Sequence, residues 1–134
     1  MEKTIAGWGL RIALGLTLLS AVVDRFGIWG AYGSPNVSWG DWVHFVQYCA
    51  KVNSFLPAAW AGALAWIATA LEIVLGVGLL IGVWRRYVAY GTAVLLLSFA
   101  VAMTISFGAK PPLSYSVFVD AAAAFLLASI ADER

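Results

Sequence analysis

Residues 88–107 form a run of 20 residues without a single Asp, Glu, Lys, Arg or His. A stretch of about 20 apolar residues is what a helix needs to cross the hydrocarbon core of a bilayer. Lipid offers no partners for backbone N–H and C=O groups, so a single segment satisfies them only by coiling into a helix. Three more apolar runs occupy residues 5–23, 58–83 and 113–130. Only 11% of the 134 residues are charged and 63% are hydrophobic, whereas a soluble domain carries about 25% charged residues. A chain this short cannot hide so much apolar surface from water. The expected fold class is therefore all-α: an integral membrane four-helix bundle forming one transmembrane domain over residues 1–134.

The first run is too long for a signal-peptide core. Arg11 interrupts it, and Asp24-Arg25 follow without a small-x-small cleavage pattern. It reads as an uncleaved helix. Trp84, Arg85 and Arg86 stop the second run, and Gly108, Lys110, Pro111 and Pro112 stop the third. Asp132, Glu133 and Arg134 form a polar tail. Four crossings put both ends on one side, together with Lys3, Arg85, Arg86 and Arg134, while Arg25, Lys51 and Lys110 lie opposite. The positive-inside tendency then places both termini in the cytoplasm. The net charge of +1 and the absence of a basic run beyond Arg85-Arg86 exclude a nucleic-acid partner.

The connection over residues 24–57 carries structure of its own. Ser38 followed by Asp41 has capping-box spacing, and a helix is expected over residues 39–52. Trp42, Phe45, Val46, Cys49 and Val52 would share one face, with Asp41, His44, Gln47 and Lys51 on the other. That pattern describes an amphipathic helix lying at the membrane surface or capping the bundle. Asn36-Val37-Ser38 matches a glycosylation acceptor, which is read as chance.

Small residues let helices approach closely in lipid. Gly78-x-x-x-Gly82, Ala61-x-x-x-Ala65, the glycines at 7, 9 and 15, and Ala121 through Ala124 mark such faces. They serve either packing within one chain or a homodimer contact.

Three ionisable residues stand inside the runs: Arg11, Glu72 and Asp120. A charge at mid-membrane costs about 2.5–3.5 kcal/mol on insertion scales, so each should face the protein interior. With a rise of about 1.5 Å per residue, Glu72 and Asp120 fall at similar depth and Arg11 nearer the same face. They are expected to converge in the bundle. One reading is an ion-pair network that fixes helix register. The other is a proton or ligand site. Asp24, Arg25 and His44 are secondary candidates at the outer interface, where a solvated helix end or a surface position is the alternative. Cys49 is the only cysteine, which excludes an internal disulfide and a dithiol redox centre. It reads as a packing residue. With one histidine and one cysteine, no transition-metal site is expected. The seven tryptophans fall mostly near run ends, as in interfacial belts, although a quinone-like ring could also stack there.

The segments RIALGLTLLS from Arg11, DRFGIWG from Asp24, NVSWGDWVHF from Asn36, LEIVLGVGLLIGVWRR from Leu71 and PLSYSVFVDAAAAF from Pro112 resemble, in order and spacing, the DoxX family of small bacterial four-helix membrane proteins. The resemblance implies a bacterial inner-membrane protein linked to quinone or sulfur redox chemistry, working with partner proteins. It brings no catalytic motif. The expected function is an accessory subunit of a membrane redox system that binds a quinone or another small apolar ligand, with Arg11, Glu72 and Asp120 at the polar end of the pocket. The alternatives are a non-enzymatic membrane chaperone or assembly factor, and a small-solute carrier.

Overall fold

A computed structural model describes residues 2–131, with side chains from Thr4 onward. The tail Asp132–Arg134 and the Lys3 side chain, both used above for orientation, lie outside the described residues. All regular elements among the described residues are helical, as expected. They are α1 (Glu2–Arg25), α2 (Trp42–Val52), α3 (Ala61–Ile81), α4 (Arg85–Phe107), α5 (Lys110–Ser114) and α6 (Val117–Ile130), with a single 3-10 turn, Ala58–Trp60, leading into α3.

Three helices are long and apolar enough to cross a membrane: Thr4–Arg25, Ala58–Ile81 with its leading turn, and Arg85–Phe107. Their outer faces expose Ile12, Leu16, Ile67, Val74, Val94, Val101 and Ile105. In water such a surface would drive association; in lipid it is solvated. The fourth run is not one helix. Pro111 and Pro112 occupy the first turn of α5, where their missing N–H groups cost nothing. The chain then tightens, Ser116 N–H donating to Leu113 O at 3.2 Å, and Ser116 turns left-handed at φ +60 before α6 begins. Alone, the 14 residues of α6 rise about 21 Å, short of the roughly 30 Å hydrocarbon thickness.

α1 packs on α3, α3 on α4, α4 on α6, and α6 returns to α1. The core of this ring is Leu14, Leu18, Leu79 and Leu127 set among Ala89, Ala93, Ala121, Ala124 and Ala128. Close approach of the α1 and α3 backbones rests on Gly15 and Gly76. A Cβ on Gly15 would lie 3.2 Å from Gly76 O, and one on Gly76 would lie 3.4 Å from Gly15 O. By contrast, Gly7 and Gly9 face open space. The Gly78-x-x-x-Gly82 pair is used within the chain. Gly78 meets Val88 of α4, and Gly82 ends α3 in a left-handed cap at φ +85 against the Arg11 guanidinium.

Candidate functional site

α2 starts at Trp42, three residues later than the sequence spacing suggested. Its N-cap is Asp41, whose carboxylate accepts from the His44 N–H at 2.8 Å. Ser38 lies too far ahead of Trp42 to cap the helix, and its N–H donates to Asp24 instead. Phe45 and Cys49 of α2 pack against Ala61 and Ala65 of α3, with Trp39, Trp42 and Val46 around them. Small side chains on α3 therefore seat the apolar face of α2 directly on the helix. At its far end, Ser106 Oγ of α4 donates to Val52 O at 2.6 Å and bonds to Ser54 Oγ at 2.8 Å. α2 is thus a lid clamped over the end of the bundle where α1 finishes and α3 begins.

Beneath the lid lies an ion pair. Arg25 and Glu72 are both about 2% exposed, and Arg25 Nη1 pairs with Glu72 Oε2. The same Nη1 donates to Thr69 Oγ1 at 2.8 Å. Thr69 and Glu72 stand three residues apart on one face of α3, which is why one guanidinium reaches both. The cation lies 3.7 Å from the centroid of the Phe45 ring and 5.2 Å from that of Trp39, so aromatic faces take part in its solvation. Arg25 Nε finds no acceptor among the described residues.

The neighbouring Asp24 organises the loop. Its carboxylate accepts three backbone N–H groups: Ser38 at 2.9 Å, Trp39 at 2.9 Å and Gly40 at 3.0 Å. Gly40 is at φ +76, and a Cβ there would collide with the Tyr32 backbone, so this close approach requires glycine. Trp39 is thereby held over Arg25. A cavity of about 520 Å³ opens between α1 and the loop, bordered by Trp39 together with Thr17, Ser20, Ala21, Trp29, Asn36 and Ser38. Trp29 Nε1 closes one edge by donating to Ser20 O and Ser20 Oγ, each at 3.1 Å.

The expected convergence of Arg11, Glu72 and Asp120 is not what these side chains do. Glu72 belongs to Arg25. Arg11 is buried at the opposite end, where its Nε donates to Leu79 O at 2.9 Å and its Nη2 to Leu80 O at 3.4 Å. It caps the carboxyl end of α3, where a cation meets unpaired carbonyls and the negative end of the helix dipole. The Asp120 carboxylate, half-buried in the first turn of α6, makes no hydrogen bond or ion pair with another described residue. His44 Nδ1 lies 2.8 Å from the Asp41 carboxylate, and its ring stacks on Tyr32 at 3.5 Å. That places it on the outer side of α2, away from the ion pair.

Thr69, Trp39 and Phe45 were not read as site residues in the sequence. The i,i+3 spacing of Thr69 and Glu72 was the available signal. Cys49 is buried on the inner face of the lid, and burial pushes its thiol up to about 11 against the opposing pull of the Arg25 charge. A thiol held so far above neutrality is a packing group. Among the described residues no cluster of three or more His, Cys, Asp or Glu is placed to hold a metal ion.

No curated protein and no solved structure matches the chain. The family model described as methylamine utilisation protein MauE matches residues 3–131, nearly the entire sequence. With its lipid-compatible helices, its buried ion pair and this match, the chain is a membrane protein that belongs to the MauE family.

Proposed function

We propose that this chain is an accessory protein of a bacterial inner-membrane redox system. On this reading it binds the ring of a quinone, or a similar flat apolar ligand, in the cavity between α1 and the loop. Both termini face the cytoplasm, α5 and α6 together complete a fourth crossing, and the lidded end faces outward. The observation that carries the reading is the buried Arg25–Glu72 pair, whose guanidinium lies 5.2 Å from the ring of Trp39, a residue that also borders the cavity. Charges in the membrane interior are expensive, and function is the default reading for them. The cavity offers an indole to stack on and hydroxyl and amide groups at Thr17, Ser20, Asn36 and Ser38 for ring oxygens. Growth on methylamine requires oxidation of the amine, so a family named for that process fits a redox setting. The DoxX resemblance of the sequence points the same way.

The test is titration of the purified protein in detergent with a short-chain benzoquinone analogue, followed by tryptophan fluorescence. Quenching should saturate in the wild type and in Asp120→Asn. It should fall towards the level of bulk partitioning in Ala21→Phe, which pushes a ring into the cavity from α1. Identical titrations for wild type and Ala21→Phe would remove the ligand site.

A second reading is an assembly factor for a secreted redox enzyme such as a methylamine dehydrogenase. It is favoured by the exposed Phe26, Ile28, Trp29, Tyr32 and Phe55 around the lidded end, a surface suited to a protein client. Co-purification of the enzyme without a bound quinone favours this reading over the first.

A further inference from the structure

At the end of the bundle opposite the lid, two arginines converge on one glycine. A Cβ on Gly82 would lie 2.9 Å from Arg11 Cζ and 3.3 Å from Arg85 Nε. Arg11 is 4% exposed, and its ring neighbour is Trp8, with the guanidinium carbon 4.4 Å from the centroid. Arg85 Nε donates to Gly82 O at 3.3 Å. Among the described residues no carboxylate reaches either guanidinium, and nothing accepts from Arg11 Nη1 or from the two Nη atoms of Arg85. Two like charges held this close in a low-dielectric setting repel, and an anion between them would relieve the cost.

There is room for one. A cavity of about 240 Å³ is bordered by both arginines, with Thr4, Gly7, Trp8, Leu127 and Ile130. At about 30 Å³ per liquid water, that is the space of roughly eight waters. The amino terminus of α4 begins at Arg85 with no side-chain cap, so its dipole offsets the negative carboxyl end of α3 that Arg11 caps. Two guanidinium forks and a hydroxyl suit an oxyanion with several acceptor oxygens. The wall of Trp8, Leu127 and Ile130 suits apolar carbon attached to it.

We propose that this cavity binds a phosphate oxyanion, the headgroup phosphate of an anionic phospholipid or free phosphate, between Arg11 and Arg85. The site is separate from the lidded one and does not depend on it. The apolar wall favours the lipid, whose acyl chains would run down the groove between α1 and α6.

Native mass spectrometry of the detergent-purified protein tests this with phosphatidylglycerol, phosphatidylcholine and inorganic phosphate as probes. Phosphatidylglycerol should stay bound at collision energies that strip phosphatidylcholine. Loss of a charge-assisted contact in Arg85→Gln should weaken retention by about tenfold. Gly7→Phe should weaken it similarly without altering any charge, since Gly7 borders the cavity and a Cβ there meets nothing within 4 Å. That variant decides the matter if Arg85→Gln fails to fold. Competition by millimolar inorganic phosphate that disappears in either variant assigns the site to free phosphate, and its absence alongside lipid retention assigns it to the headgroup. Equal retention of the two lipids together with no phosphate effect, or retention unchanged in Gly7→Phe, overturns the proposal.

Discussion

Removing Arg25 should expose how strongly the lidded end depends on its ion pair. Arg25→Met keeps a long apolar stem against Phe45 but leaves Glu72 ionised or forced to take up a proton, at a site 2% exposed. Breaking a buried pair by deleting one partner costs about 3–5 kcal/mol. The lost hydrogen bond to Thr69 is the smaller part, since hydrogen bonds between membrane helices average about 0.6 kcal/mol. Glu72→Leu alone should cost a similar amount, because it strands the arginine. The double variant Arg25→Met/Glu72→Leu buries no charge and should cost no more than about 2 kcal/mol, giving a coupling of at least about 4 kcal/mol. Reversible unfolding in mixed micelles, followed by circular dichroism, measures all four corners of the cycle. The coupling should survive high salt, because a pair so deeply buried is poorly screened. Additivity within about 0.5 kcal/mol would mean that the two groups act independently, and a pair abolished by salt would mean that it is exposed.

Asp24→Ala leaves three backbone donors at residues 38–40 without their acceptor. It should cost on the order of 3 kcal/mol and make the loop over residues 26–41 sensitive to protease. Gly82→Ala forces a left-handed residue to carry a Cβ against Arg11 and should cost about 2 kcal/mol. Gly7→Ala faces open space and should be neutral or stabilising by up to about 1 kcal/mol, both read from the same unfolding curves. The Asp41 carboxyl is held below its ordinary value by the His44 N–H and the His44 ring. A depressed carboxylate contributes its stability above the unfolded-state value and loses it as pH falls through the lower folded-state value. The protection factors of amides at the start of α2, which correct for the intrinsic pH dependence of exchange, should therefore hold steady from neutral pH down to the ordinary aspartate range of about 4, then fall below it. Protection already lost at pH 6 would rule out the Asp41 carboxylate as the cause.

The long apolar runs carried most of the architecture, because lipid leaves a backbone few choices. The interior of the site was harder to read. Arg25 ends α1 beside Asp24, and that pair of charges looks like an ordinary solvated terminus. What buries it is α2, which folds back over Ala61 and Ala65; no local pattern around residue 25 encodes that. Depth along a helix says which residues are level, not which way they point. Glu72 and Asp120 were level, yet Glu72 shares a face with Thr69 and turns to α1. Arg11 was expected to reach inward to a carboxylate. Nearby carbonyls at Leu79 and Leu80 offered it a shorter reach than any acid did. The break at Ser116 was also hidden, since Ser114-Tyr115-Ser116 resembles a polar helix start until its left-handed turn is seen.

Photolabelling with a diazirine-bearing benzoquinone analogue in native membranes, followed by peptide mapping, tests the proposed ligand site most directly. Labels that unlabelled quinone competes away should fall on residues 29–39 and on the Thr17–Ala21 turn of α1, the segments that border the 520 Å³ cavity. Competed labels confined to α4 or α6, or none above the uncompeted background, would contradict the assignment of a redox ligand to the lidded end.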